Sequence, residues 1–237
     1  MGASQRKVVV ITGGSQGIGE GLVEGYHREG WAVVANALTI EQSGDPGIVA
    51  VKGDISEFRT VDRIVFEAID HFGRIDTLVN NAGIYISKPF LDYTREEFDA
   101  IVAVNLTGFF ALTQRCVTEM LKRGGGHIVN ITTTLVDYAM SDEPSVLVSL
   151  TKGGLAAATR SLAIEFASRG IRVNAVSPGV IQTPMHDPES YIAEAARHPL
   201  GRVGKVSDIV NGILFLESSP FITGETLHID GGRIAGH

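Results

Sequence analysis

The chain reads as an α/β protein: one domain built on a doubly wound parallel sheet with helices on both faces. Three observations predict this. Short β-branched runs recur along the chain and are apolar nearly throughout, as strands covered on both faces must be. Segments of helical period separate them, which implies right-handed βαβ crossovers. A glycine-rich turn follows the first run and opens a helix, so backbone N–H groups converge at the carboxyl end of the sheet. No linker, repeat or low-complexity tract interrupts residues 1–237, so a single domain is expected.

Taken in order, the first strand is expected at residues 8–11. It runs into Thr12-Gly13-Gly14-Ser15-Gln16-Gly17-Ile18-Gly19, spaced G-x-x-x-G-x-G rather than G-x-G-x-x-G. Further strands are expected at 32–35, 48–51, 77–79, 127–131 and 172–176, with a last one at 227–229. Helical period covers 58–72 and 95–122. A helix carrying Lys152 has Asp142 as its expected cap, Pro144 in its first turn and Gly170 in the left-handed position after its last. Gly153 and Gly154 lie inside it, each costing roughly 1 kcal/mol relative to alanine. That cost points to a close approach, by a cofactor or by a packed helix. Residues 184–204 are expected to form a substrate lid, with Met185, His186, Tyr191 and Leu200 as candidate lining. Asp230-Gly231-Gly232 reads as a structural turn after the last strand.

Composition removes several function classes. Hydrophobic residues make up 44% and charged residues 20%, an ordinary globular balance. The net charge of -7 argues against nucleic acid as a partner. No uninterrupted apolar run approaches the ~18 residues of a membrane span, so no membrane association is expected. Residues 1–7 lead straight into a strand-like run, with no secretory core and with Arg6 where a myristoylation signal needs Ser or Thr. Cys116 is the only cysteine, so neither an intrachain disulfide nor a thiolate metal cluster can form. A reducing, cytoplasmic setting is the simplest expectation. The seven histidines, from His27 to His237, lack metal-ligand spacing, and no G-x-S-x-G elbow is present. No metal is expected.

Several motifs in register carry a resemblance. Residues Thr12 to Gly19 resemble the cofactor loop of the short-chain dehydrogenase/reductase family, and Asn80-Asn81-Ala82-Gly83 resembles its NNAG motif. Asp54, Asn105, Lys152, Ser177-Pro178-Gly179 with Thr183, and Asp230-Gly231-Gly232 follow in the family's order across essentially the whole chain. The resemblance implies a Rossmann-type fold, NAD or NADP as cofactor and a small carbonyl or alcohol substrate. It places Gly13, Ser15, Gln16, Gly17, Ile18 and Gly19 around the pyrophosphate and Asp54 and Ile55 beside the adenine. It places Asn81, Ala82 and Gly83 by the ribose, and Pro178, Gly179, Val180 and Thr183 around the nicotinamide. Asn80 and Asn81 could instead simply terminate a strand, and Asp54 could simply cap a helix.

The cofactor's identity turns on the end of the second strand. An acidic side chain there holds a ribose 2′-hydroxyl, and positive charge there holds a 2′-phosphate. The position falls near Ala37, after Asn36 and before Leu38. It offers neither, which leaves NAD or NADP with a slight lean to NADP.

The chemical end departs from the family pattern. The resemblance implies a catalytic tyrosine four residues before the lysine, but Val148 stands there. Asn105 and Lys152 match, and Thr133 aligns with the carbonyl-polarising serine. The implied roles are a water anchor for Asn105, a ribose ligand for Lys152 and a hydroxyl donor for Thr133. Tyr138 is the favoured substitute proton donor, ahead of Ser149 and of Lys152 acting on a lowered pKa. Two readings therefore stand: an oxidoreductase with a non-standard proton donor, or a dinucleotide-binding protein without turnover, a sensor or oligomer partner. The resemblance also implies a homo-oligomer, dimer or tetramer, with Gly153, Ala156, Ala157 and nearby Phe110 permitting close helix contact.

Overall fold

A computed structural model describes residues 6–236. The reading of residues 1–5 as free of a leader, and His237, lie outside the described residues. The first half of the chain supplies β1 (Val8–Thr12), α1 (Gly17–Arg28), β2 (Ala32–Ala37), β3 (Ile48–Lys52), α2 (Phe58–Phe72) and β4 (Thr77–Asn80). The second supplies α3 (Arg95–Val102), α4 (Phe109–Lys122), β5 (Gly126–Ile131), α5 (Val146–Phe166), β6 (Ile171–Pro178), α6 (Tyr191–Ala195), α7 (Val206–Ser218) and β7 (Thr226–Ile229). The seven strands form one sheet in the order β3-β2-β1-β4-β5-β6-β7, and every pairing is parallel. The expected doubly wound sheet is what the chain adopts.

Strand alternation divides the core between the two faces. Val8 and Val10 of β1 pack with α2, α4 and α5 through Ile64, Leu112 and Phe166. Val9 and Ile11 pack on the other side with Leu22 and Tyr26 of α1 and Ile209 and Ile213 of α7. Burial of both faces is why the strands carry no polar alternation.

The long helix expected at 95–122 is continuous but not regular. Thr94 and Glu97 form a capping box at its start, and residues Ala103–Gly108 make a π-helical turn between α3 and α4. By length and composition this helix could cross a bilayer, although no uninterrupted apolar run marks it. Here it packs against the sheet through Leu112, Cys116 and Met120.

Helix α5 corrects the expected start. It begins at Val146 behind Ser145, and Pro144 precedes the helix instead of lying in its first turn. Asp142 does not cap, because it lies three residues before the N-cap Ser145; its carboxylate pairs with Arg197 at 2.5 Å. Gly170 is left-handed as expected, at φ 79°, after a short 3-10 turn. Within the chain nothing crowds Gly153 or Gly154: a Cβ there would meet Val136 at 3.8 Å and Leu106 at 3.5 Å, ordinary contacts.

At the amino end of the sheet, away from the glycine turn, a buried polar cluster ties four elements together. Glu217 of α7 accepts hydrogen bonds from Tyr26 of α1 (3.2 Å), Thr77 of β4 (3.0 Å) and His127 Nδ1 of β5 (3.0 Å). The other ring nitrogen, Nε2, faces the donors Asn174 Nδ2 at 3.1 Å and Arg172 Nη1 at 3.4 Å. His127 is therefore neutral with its proton on Nδ1, in keeping with a pKa that burial lowers.

Candidate active site

Strand order reverses beside β1, where β2 lies on one side and β4 on the other. At such a switch point loops leave the sheet in opposite directions and open a crevice at its carboxyl edge. A cavity of about 460 Å³ occupies that crevice. It is lined by Gly13, Ser15, Gln16, Gly17, Ile18, Asn36, Asp54, Ile55, Asn81, Ala82, Gly83, Thr133, Lys152, Pro178, Gly179, Val180 and Thr183. Apart from Thr133, expected as the polarising hydroxyl, these are the residues expected to hold a dinucleotide, drawn to one surface from β2, the start of α1, α5, the end of β6 and the loops after β1, β3, β4, β5 and β6. Gly19 and Asn105 lie just behind it.

The turn after β1 is shaped for close backbone approach. Gly13 sits at φ 69°, and a Cβ on it would stand 2.8 Å from Asn81 Nδ2. A Cβ on Gly19 would collide with the carbonyl oxygen of Gly13 at 2.0 Å. Asn81 does more than end a strand: its Nδ2 donates to the carbonyls of Thr12 (2.9 Å) and Gly13 (3.2 Å), clamping the turn to β4. Gln16 precedes α1 without a side-chain cap, which leaves first-turn N–H groups for an anion. The cradle fits a pyrophosphate.

Other assignments shift in detail. Asn36 lines the cavity, but its amide donates to the carbonyls of Val51 (2.9 Å) and Gly53 (3.0 Å), so it chiefly joins β2 to the end of β3. Asp54 does not cap α2, whose N-cap is Glu57. Its Oδ1 instead accepts from the backbone and hydroxyl of Ser56, at 2.9 and 2.7 Å. Leu200 is exposed and outside the cavity lining, whereas Met185 and His186 belong to it; Tyr191 reaches the carbonyl of Thr183 at 3.5 Å.

At the chemical end Lys152 is buried, and its Nζ donates to the carbonyl of Ile131 at 2.7 Å. A Cβ on Gly83 would lie 3.1 Å from that Nζ and 3.3 Å from Asn105 Oδ1, so glycine keeps this corner open. Burial lowers the Lys152 pKa to about 8. Asn105, inside the π-turn, donates Nδ2 to the carbonyl of Ile84 and the hydroxyl of Thr151, both at 3.1 Å, and accepts from Ile84 N–H at 2.8 Å. It braces the loop after β4 against α5; π-turns recur at such sites. Thr133 Oγ1 accepts from Leu135 N–H at 3.3 Å and keeps its own proton to donate.

Val148 is buried and lines the cavity one turn before Lys152. Tyr138 is not brought there. Its side chain is 42% exposed, outside the cavity lining, on the loop after β5. Ser149 is also diverted, donating to the carbonyl of Leu135 at 3.0 Å.

Sequence reasoning missed a polar group in the cavity wall. Tyr85, Glu143 and Arg233 line it, and Tyr85 Oη donates to Glu143 Oε1 at 2.6 Å. Glu143 Oε2 accepts from Arg197 Nη1 at 3.2 Å and Arg233 Nη2 at 3.1 Å. Burial, then the bond to Glu143, raises the Tyr85 pKa well above the ordinary phenol value. His198 was also missed: its Nδ1 donates to the carbonyl of Glu194 at 2.7 Å, so its Nε2 accepts from Val180 N–H at 3.2 Å. No local spacing marks these, because Tyr85 meets Glu143, Glu143 meets Arg233 and His198 meets Val180 across 58, 90 and 18 residues.

Fold and site together define a dinucleotide-binding α/β oxidoreductase. The family described as enoyl-(acyl carrier protein) reductase matches residues 13–233. A 3-oxoacyl-[acyl-carrier-protein] reductase of Thermotoga maritima is 37% identical over 96% of this chain and 98% of its own. The structure of ElxO with NADP bound superposes at a TM-score of 0.91, with 30% identity, over 98% of this chain and all of that one, 100%. A 3-ketoacyl-(acyl-carrier-protein) reductase of Brucella melitensis complexed with NADH gives a TM-score of 0.88 at 32% identity, over 98% of this chain and 100% of the other. The chain belongs to the short-chain dehydrogenase/reductase family of NAD(P)-dependent oxidoreductases.

Proposed function

We propose that this chain transfers hydride reversibly between NAD(P) and a small carbonyl or alcohol substrate, with Lys152 rather than a tyrosine delivering the proton. The observation that carries this reading is Lys152 itself: a buried ammonium in the cavity wall, perturbed by desolvation alone. The bound dinucleotide supplies the hydride. Thr133 donates its hydroxyl proton as a hydrogen bond to the carbonyl oxygen and polarises it. Lys152 gives a proton to that oxygen as negative charge develops there, and bulk water restores the ammonium. Val148 occupies the position of the family's tyrosine, and its isopropyl group excludes water from that side. Tyr138, the substitute expected from the sequence, is a poorer candidate because it lies outside the cavity lining.

The glycine turn, Asp54, Ile55, Asn81, Ala82, Gly83 and residues Pro178, Gly179, Val180 and Thr183 are proposed to hold the cofactor. Residues 184–204 are proposed as the substrate lid and the setting as cytoplasmic. ElxO carries NADP and the Brucella reductase NADH, which supports either cofactor here; with Ala37, Leu38 and Thr39 lining the adenosine end, the lean to NADP rests on missing acidic repulsion. A homo-oligomer is supported by the exposed Leu150 and Ile164 on α5 and Phe110 on α4.

Titration with NADH and NADPH followed by a screen of small ketones and aldehydes tests the reading. Saturable binding with turnover is expected. Saturable binding without turnover over a broad panel would favour a sensor.

A further inference from the structure

Arg233 is a cation in the cavity wall that hydride transfer does not use. It is 3% exposed, yet only its Nη2 has partners: Glu143 Oε2 at 3.1 Å and the weakly accepting sulfur of Met140 at 2.6 Å. Nε and Nη1 have no protein acceptor among the described residues. Neither is sealed in, for the fully enclosed orphan atoms there are His27 Nδ1, Ser177 Oγ and Glu194 Oε2. Arg233 lines the cavity, so its guanidinium is within reach of a ligand held there.

Glu143 does not satisfy this cation alone. Its Oε2 is shared with Arg197, and its Oε1 receives the Tyr85 hydroxyl. Arg197 has further carboxylates in Asp142 at 2.5 Å and Glu194 at 3.4 Å, whereas Arg233 has no second ion pair among the described residues. Glu143 thus holds the guanidinium in place while leaving donors over. Three groups of the wall hold donors that no acceptor among the described residues takes up: Arg233, the Thr133 hydroxyl and the remaining Lys152 protons. A matching ligand carries acceptors at two points, one of them charged. A planar guanidinium favours carboxylate.

We propose that Arg233 anchors a carboxylate on the substrate, so that the site takes oxo acids and hydroxy acids in preference to neutral ketones and alcohols. This rests on the hydride-transfer reading for its chemistry but not for its binding. Protein saturated with NAD or NADP in the oxidised form, with which an oxo acid cannot react, is titrated calorimetrically with 2-oxobutanoate, 3-oxobutanoate and 4-oxopentanoate, each beside its methyl ester. At least one acid should bind ten-fold or more tightly than its ester. Arg233→Gln should bring that acid to the ester's level and leave the ester unchanged, while Arg233→Lys keeps part of the preference. Acids that bind no better than esters, or a substitution that weakens acid and ester alike, overturn the proposal. If Arg233→Gln fails to fold, the wild-type comparison and Arg233→Lys still decide. Failure of the oxidoreductase reading would show separately, as no saturable dinucleotide binding. The acid–ester titration is then run on the free protein and still decides the anchor.

Discussion

At Lys152 burial and chemistry are the same fact. With its ammonium withdrawn from water and no carboxylate beside it, its pKa falls to about 8, close enough to neutrality to give and regain a proton. On the proposed mechanism the reductive rate should fall as pH rises through about 8, where Lys152 loses its proton, and the oxidative rate should rise through the same value. Lys152→Arg keeps a cation for the ribose but cannot release its proton, so kcat should drop on the order of 10²–10⁴-fold and the limb should vanish. Tyr138→Phe should change neither the rate nor the profile. Steady-state pH profiles of the three proteins check this, and an unchanged limb in Lys152→Arg would remove lysine from the role. Restoring a phenol by Val148→Tyr should raise kcat, by up to roughly 10²-fold or more if proton delivery limits the rate; no gain in a single-turnover assay would locate the limitation elsewhere.

Single elements carry different consequences. In α5 the two internal glycines were expected to mark a close approach, yet a Cβ on either would make only ordinary van der Waals contacts within the chain. Gly154→Ala should therefore stabilise the folded chain by about 0.5–1 kcal/mol, the difference in helix propensity, readable as a shifted denaturation midpoint. A loss of stability that accompanies dissociation in light scattering would instead show a partner helix seated on that face. The turn after β1 tolerates no such change. Gly19→Ala drives a methyl against the Gly13 carbonyl, so dinucleotide affinity should fall at least ten-fold in fluorescence titration. An affinity equal to wild type would mean that the pyrophosphate does not sit on this turn.

For the whole molecule, the cluster around Glu217 is where elements distant in sequence are joined. Burial opposes its ionisation, but the bonds from His127, Thr77 and Tyr26 outweigh burial and hold its pKa below the ordinary value. Such a carboxylate stabilises the fold above its unfolded value near 4.5, and the contribution is lost as pH falls toward the folded pKa. Neutral His127 works in the same sense: below about 6.5 the unfolded chain takes up a proton that the buried ring refuses. Thermal stability should decline from about pH 6.5 downward and more steeply below 4.5. Glu217→Gln should lower stability at pH 7 by roughly 1–3 kcal/mol and flatten the lower limb. Melting curves between pH 4 and 8 test both; a variant with the wild-type slope would show that another carboxylate governs acid sensitivity.

Local pattern was enough for the strands, the parallel sheet and the glycine turn. Each depends on residue types at short spacing, which a chain carries in its own order. Val148 and Lys152 could be paired on one helix face from their four-residue separation alone. Three-dimensional packing decided what spacing cannot express: that Tyr138 lies outside the cavity lining, that Asp142 pairs with Arg197 while α5 starts behind Ser145, and that Asn36 uses its amide on β3. It also brought Glu143 and Arg233, 90 residues apart, into one wall of the cavity. Burial, and with it the charge state of Lys152 and the unshared donors of Arg233, exists only once the chain has closed around them.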